Sequence, residues 1–573
     1  MRVKDFGQRS LIDLLRDRAA GQPGDCAFTF LDDGERAGAS ITWRELELRS
    51  RAIAAGIMRH VQPGARVLVL FPPSADFVPA FFGVLYAGAI AVPAYPPAGA
   101  RADRSITRLR GMIVDAGVSL VLAPSGLIAK TQGIDHALPE LARIPWLDPA
   151  AVPDEDADEW RAQVVRSDSI AFLQYTSGST SAPRGVMVTH GNLLHNLART
   201  AADGGYGRDS ISVSWLPINH DMGLINGILQ PVFSGFPAYL MAPGAFLQRP
   251  ARWLQAISRL GATHSGGPNF AYDLCARRVS DDDATTLDLG CWGVAYNGSE
   301  PVRRSTMETF QRRFGACGFR WESFSPAYGL AESTLLVTSV PAGAAPVLHG
   351  NAVASGMLDD ESEVLIVDPL TRARLPQREV GEIWVSGGSV AAGYWNRSEE
   401  TLATFHARLA NSAESFLRTG DLGFIQNGCL FVTGRIKDVL IVRGMKHYPQ
   451  DLELTAERAH PALRPGCCAA FALEQDGEER VAIVAEVEPR EQTRGVATDF
   501  SQVLAAIRLA VASAHHVAPH IVSLVPAGAV PKTTSGKLQR FLCREALVNG
   551  TLGPLASSCS GDLAEAPKER RAS

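Results

Sequence analysis

The stretch LQYTSGSTSAPRGVMVTHGNLLHN, residues 173–196, decides the fold. An apolar run ends at Tyr175. Thr176, Ser177, Gly178, Ser179 and Thr180 then place four hydroxyls around one glycine. Arg184 and Gly185 follow, with a second short apolar run, VMV, and Thr189 stands where a helix over GNLLHNLAR needs its N-cap. Hydroxyls and glycine-flanked backbone N–H groups supply many short-range donors without steric conflict, as a polyphosphate requires. An arginine at the far end adds a fixed cation whose fork fits phosphate oxygens. A flexible Ser/Gly linker would not sit between a buried strand and an amphipathic helix. The pattern G-x-x-x-x-G-K-[ST] is absent, so this is no P-loop NTPase by its own residues.

Outward from that loop, apolar strand-like runs alternate with helical stretches. RVLVLF (66–71), SIAFLQYT (169–176), EVLIVDP (363–369) and GEIWVSG (381–387) read as strands, and ARWLQAISRL (251–260) as a helix. Such alternation predicts an α/β fold with mostly parallel sheets. At 573 residues the chain exceeds one compact core. The pattern restarts after Thr433-Gly434-Arg435 with KDVLIVRG, CCAAFALE, RVAIVAEVEP and a helix around Ser501–His515. We expect a large N-terminal domain over 1–434, a small C-terminal α/β domain over 435–552, and a small polar stretch, 553–573, read as a disordered tail.

Lysine and arginine total 55 against 60 acidic residues, a formal charge of −5. That balance argues against nucleic-acid binding by bulk electrostatics. Nine scattered cysteines without C-x-x-C spacing suggest reduced thiols rather than zinc or a disulfide framework. The charged N-terminus has no signal-peptide h-region. FVPAFFGVLYAGAIAVPAYPP (77–97) approaches a membrane span in length, but its prolines favour a buried helix followed by a buried strand. The expectation is a cytoplasmic protein with no stable membrane insertion.

The 173–196 stretch resembles the phosphate-binding loop of the acyl- and aminoacyl-adenylating (ANL) superfamily, with Arg184 where that loop usually has lysine. Further segments resemble the family in the same order. Asn297-Gly298-Ser299-Glu300-Pro301 is similar to the loop lining the adenine pocket. Tyr328-Gly329-Leu330-Ala331-Glu332 is similar to the aromatic–glutamate motif, which implies that Tyr328 stacks on adenine and Glu332 holds Mg²⁺ on the phosphates of ATP. LRTGDLG (417–423) resembles the ribose motif, with Asp421 accepting from the ribose hydroxyls. Arg435 would reach ribose or phosphates, and Lys437 falls at the family's hinge. PKTTSGKLQR (531–540) matches the motif of the catalytic lysine, here Lys537, carried on a small mobile C-terminal domain. Lys532 lies outside the matching position.

SWLPINHDMGLINGILQPVFSGFPAYLM (214–241), AFLQRPARWLQAISRLGATHSGGPNFAYDLC (245–275) and HYPQDLE (447–453) resemble the fatty acyl-AMP ligase branch. The resemblance implies a fatty acid substrate, His220 near its carboxylate and the α-phosphate, and apolar residues around Met222–Leu229 and Phe270–Ala271 lining an acyl tunnel or forming plain core. It further implies transfer to the phosphopantetheine thiol of a separate acyl carrier protein, in polyketide, lipopeptide or lipid biosynthesis. The stretch from Val340 to Glu361 is short for an insertion that the branch usually carries to limit use of CoA. A fatty acyl-CoA synthetase, and a non-catalytic adenylate-binding regulator, are the alternatives.

Overall fold

The computed structural model describes residues 7–97, 102–131, 140–176, 183–359, 362–410, 412–442, 445–475, 478–489, 499–533 and 536–559. They fall into two compact units, one of residues 1–419 and 423–432, the other of residues 420–422 and 433–573.

The first unit is built on two large sheets. In the six-stranded sheet the order is Trp146–Leu147, Leu120–Leu122, Arg66–Leu70, Ile90–Ala94, Ile170–Thr176 and Arg184–Thr189. All neighbours run parallel except the last pair, a hairpin. In the eight-stranded sheet six parallel strands are flanked by two antiparallel ones, the order being Leu336–Ser339, Phe324–Gly329, Val294–Asn297, His264–Gly267, Ser212–Ser214, Ala238–Met241, Cys26–Asp32 and Arg36–Thr42. A four-stranded sheet joins Ser362–Val367, Gly381–Gly387, Leu417–Gln426 and Cys429–Arg435.

The predicted strands and the helix Ala251–Leu260 form where the apolar periodicity places them. The apolar stretch from Phe77 is a wholly buried helix, Phe77–Tyr86, followed by the buried strand Ile90–Ala94. Its phenylalanines pack edge-to-face with Phe71 and Phe172, which binds the helix to the six-stranded sheet. No helix among the described residues is long and apolar enough to cross a membrane. A second core under the eight-stranded sheet is aromatic, with Trp253 and Phe310 each edge-on to Tyr272 and Trp292.

The stretch after Val340, read as short, folds as a hairpin, Leu348–His349 against Ala352–Val353. It is tied down by the Ser355 N–H to Leu430 O bond (2.7 Å) and the Arg304 Nη1 to Gly350 O bond (3.1 Å).

The second unit carries a four-stranded sheet, Leu463–Gln475, Glu478–Val487, Ile521–Val525 and Ala556–Cys559, with the helices Pro449–Arg458, Phe500–His515 and Arg540–Val548. The last strand corrects the sequence reading, which assigned everything beyond 552 to a disordered tail. Ser557 and Ser558 are polar, yet an edge strand needs only partners for its backbone and hydroxyls. Ser557 Oγ meets Ser523 Oγ at 2.8 Å, and Arg508 Nη2 donates to Ser558 O at 2.7 Å.

Candidate active site

In open α/β sheets, ligands bind beyond the carboxyl ends of parallel strands. The predicted residues of the first unit lie there. Thr176 ends its strand opposite Arg184, and Tyr175 lies opposite Gly185, so the hairpin sets Thr176 and Arg184 at the two feet of the hydroxyl loop. Ser177, Gly178, Ser179 and Thr180 lie outside the described residues. Gly185 has a steric reason, since a Cβ there would approach the Tyr175 ring to 3.0 Å. Beyond the hairpin, Thr189 caps the helix His190–Gly204, its hydroxyl accepting from Asn192 N–H at 3.1 Å while Asn192 Oδ1 accepts from Thr189 N–H.

Asn297 closes the strand Val294–Asn297, and Tyr328 lies near the end of the neighbouring parallel strand Phe324–Gly329. Asn297 is fully buried, yet neither its Nδ2 nor its Oδ1 finds a hydrogen-bond partner among the described residues. An unmet buried polar group costs about 1–3 kcal/mol. One donor and one acceptor side by side match the N6/N7 edge of adenine. Gly298 admits the adjoining strand, because a Cβ would stand 2.9 Å from Ala327 O, and Ser299 adopts a left-handed φ of 69° at the turn. Glu300 is turned to the helix Asn269–Arg278, where its Oε1 accepts from Phe270 N–H at 2.6 Å. Gly329 is obligatory, since a Cβ would lie 1.7 Å from Leu335 O.

Glu332 sits in the turn Ala331–Ser333, next to Thr334 with φ 65°. Its Oε1 accepts from Tyr394 Oη at 2.8 Å. The guanidinium of Arg184 stands 5.5 Å over the ring of that same tyrosine, and its Nη2 pairs with Glu400 Oε2 at 2.9 Å. Two predicted site residues, distant in sequence, thus meet on one side chain that the sequence reading missed. The only signal was the segment GYWNR, residues 393–397, unassigned by motif.

His220 follows the strand Ser212–Ser214, with Asp221 Oδ1 2.5 Å from its Nδ1. Gln174, on the strand leading to the hydroxyl loop, donates through Nε2 to Asn219 O at 3.1 Å and so ties the histidine's turn to that loop's strand. Met222–Leu229 is a buried π-helical segment.

In the second unit, Asp421 is buried and its Oδ1 accepts from Arg435 Nε at 2.9 Å. Lys437 is exposed on the turn Ile436–Asp438. Lys537 lies in a tight loop in which Thr533 Oγ1 accepts from Lys537 N–H at 3.0 Å and Thr533 N–H donates to Lys537 O at 2.8 Å. Lys532 instead points to Cys467, with Nζ 3.2 Å from Sγ. No cluster of three or more His, Cys, Asp or Glu able to hold a metal occurs among the described residues.

The chain is similar to known proteins over nearly its whole length. Residues 15–395 match the AMP-binding enzyme family, and residues 437–556 match the AMP domain of Disco-interacting protein 2-like proteins. A medium-chain-fatty-acid–[acyl-carrier-protein] ligase of Moorena producens is 44% identical over 569 residues, 95% of this chain and 96% of the relative. A long-chain-fatty-acid–AMP ligase of Mycolicibacterium smegmatis is 36% identical over 94% of each chain. The crystal structure of a fatty acyl-adenylate ligase from Legionella pneumophila, in complex with acyl adenylate and pyrophosphate, superposes with TM-score 0.73 at 38% identity, covering 96% of this chain and 98% of the other.

Proposed function

This chain belongs to the AMP-binding enzymes, within their fatty acyl-AMP ligase branch, and we propose that it activates a fatty acid with ATP and passes the acyl group to the phosphopantetheine thiol of an acyl carrier protein. The observation that carries the reading is the pair of unmet amide atoms on buried Asn297, beside Tyr328 at adjoining strand ends, with the loop Arg184 and Glu332 joined nearby through Tyr394. The reaction runs in two displacements. The carboxylate attacks the α-phosphorus and pyrophosphate leaves. The thiol then attacks the acyl carbon of the mixed anhydride and AMP leaves. Neither step needs a covalent enzyme intermediate, so the protein's part is alignment and charge neutralisation.

The residues divide that labour. Asn297 reads the adenine edge and Tyr328 stacks on its face, with Gly298 and Gly329 letting the strands close on the base. Thr176, Ser177, Gly178, Ser179, Thr180 and Gly185 line the triphosphate, and Arg184 neutralises it. Asp421 takes the ribose hydroxyls with Arg435 beside it. His220, oriented by Asp221, steadies the carboxylate. Lys537 offsets charge on the carboxylate and α-phosphate as pyrophosphate departs. A single carboxylate fits Mg²⁺, which usually takes one or two protein carboxylates and completes its shell with phosphate oxygens and water. Glu332 would hold it. Held there, it would supply positive charge against the phosphates. The protein works in the cytoplasm.

The test is ATP–pyrophosphate exchange across fatty acids of graded length. Exchange should depend on fatty acid and fall by about 10²–10³-fold in Lys537→Ala, the usual loss when one charge-stabilising group is removed. Undiminished exchange in that variant would refute the role of Lys537. Supplied with either free CoA or holo carrier protein, the enzyme should acylate the carrier; robust acyl-CoA formation would overturn the assignment of the acceptor.

A further inference from the structure

We propose that Tyr394 is a positioning residue that couples the phosphate-loop cation to the metal-holding carboxylate, its hydroxyl aiming Glu332 and its ring face supporting Arg184. The inference rests on the reading of Glu332 as the metal-holding residue.

The segment 388–397 is fastened for such a task. Met187 N–H donates to Gly393 O (2.8 Å), Trp395 N–H to Gly185 O (2.8 Å) and Ala391 N–H to Glu332 O (2.9 Å). It therefore touches the strand that begins at Arg184 and the turn that carries Glu332. Asn192, in the cap of the neighbouring helix, donates to Gly388 O and Val390 O at 2.9 and 2.8 Å. Gly393 adopts φ 129°, where a Cβ would meet Thr401 Cγ2 at 2.3 Å, and Tyr394 N–H donates to Thr401 Oγ1 at 2.9 Å. The ring packs edge-on to Phe405, centroids 5.0 Å apart, and Tyr394 is only 5% exposed. The side chain has no freedom to seek another partner.

The Tyr394 hydroxyl holds Glu332 Oε1, which fixes the direction of Oε2. Arg184 is held from two sides, by the ring and by Glu400. Glu400 is in turn held by Arg397 Nη1 at 3.1 Å, and Arg397 Nη2 reaches Asp115 Oδ1 at 3.3 Å. Asp115 Oδ2 accepts from Tyr175 Oη at 2.7 Å, which closes the chain of contacts back onto the strand before the hydroxyl loop. A guanidinium stacks on an aromatic face where an ammonium offers no plane, so this support suits arginine in place of lysine.

The experiment measures ATP binding by calorimetry without fatty acid, in EDTA and across a Mg²⁺ series, for the full chain and for Tyr394→Phe, Tyr394→Leu and Glu332→Gln. Tyr394→Phe keeps the ring and loses the hydroxyl. We expect roughly tenfold more Mg²⁺ for half-maximal enhancement of binding, the scale of one hydrogen bond to a charged group, with affinity for metal-free ATP changed less than in Tyr394→Leu. Tyr394→Leu should also weaken metal-free ATP binding by several-fold, because Arg184 loses its platform. If Glu332→Gln shifts the Mg²⁺ dependence and Tyr394→Phe does not, the coupling is overturned while the reading of Glu332 stands. If Glu332→Gln shifts nothing, that reading falls and the coupling with it. A melting temperature for Tyr394→Phe close to that of the parent chain separates a lost positioning bond from a damaged core.

Discussion

Arg540 grips Glu453 with two nearly parallel bonds, Nε to Oε1 at 2.6 Å and Nη2 to Oε2 at 2.8 Å, at the start of the last helix of the C-terminal unit. Glu453 is 1% exposed, and its Oε1 also accepts from Ala470 N–H. Removing one partner of a buried pair strands the other's charge, at a cost of about 3–5 kcal/mol. Arg540→Leu should therefore destabilise the C-terminal unit by that order, seen as faster amide exchange in the strand Leu463–Gln475. Arg540→Leu combined with Glu453→Leu should recover part of the loss. Equal or additive losses in the double variant would show that the pair is not coupled.

Gly329→Ala should fail for a reason unrelated to ligand contact. The added Cβ would lie 1.7 Å from Leu335 O, whereas at Gly298 the nearest atom, Ala327 O, stands at 2.9 Å. Backbone cannot move aside as a side-chain tip can, and overpacking a tight site costs about 1–3 kcal/mol or more. Gly329→Ala should lower the melting temperature clearly more than Gly298→Ala. The reverse order would place the tighter constraint at the other strand end.

Much of this is legible in the sequence. The hydroxyl loop is one contiguous segment whose chemistry is written in its composition, and the runs around Leu68, Phe172 and Ile383 carry strong strand periodicity. Tyr394 and Glu400 were not legible, because they act on Arg184 across more than 200 residues of chain, through a fold that brings 388–397 beside the strand beginning at Arg184. Glu300 carries a contact that its motif did not announce, its carboxylate accepting from the first turn of a helix. Ala556–Cys559 was missed because an edge strand secured by Arg508 needs no apolar pattern.

Two buried histidines make stability fall in acid. Burial pushes His190 and His264 down to about 4, from an ordinary 6.5. His190 Nδ1 accepts from Leu11 N–H at 3.2 Å, and His264 Nε2 meets Gly204 O at 2.8 Å while Thr263 Oγ1 meets its Nδ1, so each contact set suits a neutral ring. Between pH 6.5 and 4 the unfolded chain takes up protons that the folded chain refuses. Stability is therefore complete above about 6.5 and declines as pH falls, by at most about 3 kcal/mol per ring. Unfolding in urea at pH 7.5 and 4.5 should show the loss. His190→Asn, which retains an acceptor for Leu11 N–H, should lose less on acidification than the parent chain. An identical acid loss would clear His190 of the effect.

The last prediction follows from the thinness of the metal site. Glu332 stands without two further carboxylates or imidazoles, as no such cluster exists among the described residues. Mg²⁺ sheds water reluctantly and is usually held by one or two carboxylates together with substrate phosphates. The free enzyme should therefore gain no thermal stability from millimolar Mg²⁺. ATP in EDTA should stabilise it modestly through Asn297 and Arg184. The two together should do more than the sum, because each supplies ligands or charge that the other lacks. At a hundred times its dissociation constant, a ligand that binds only the native state adds about 2.7 kcal/mol, easily resolved in a melting curve. Glu332→Gln should erase the extra gain from Mg²⁺ while leaving that from ATP in EDTA. Stabilisation by Mg²⁺ alone that survives Glu332→Gln would place the ion elsewhere on the chain.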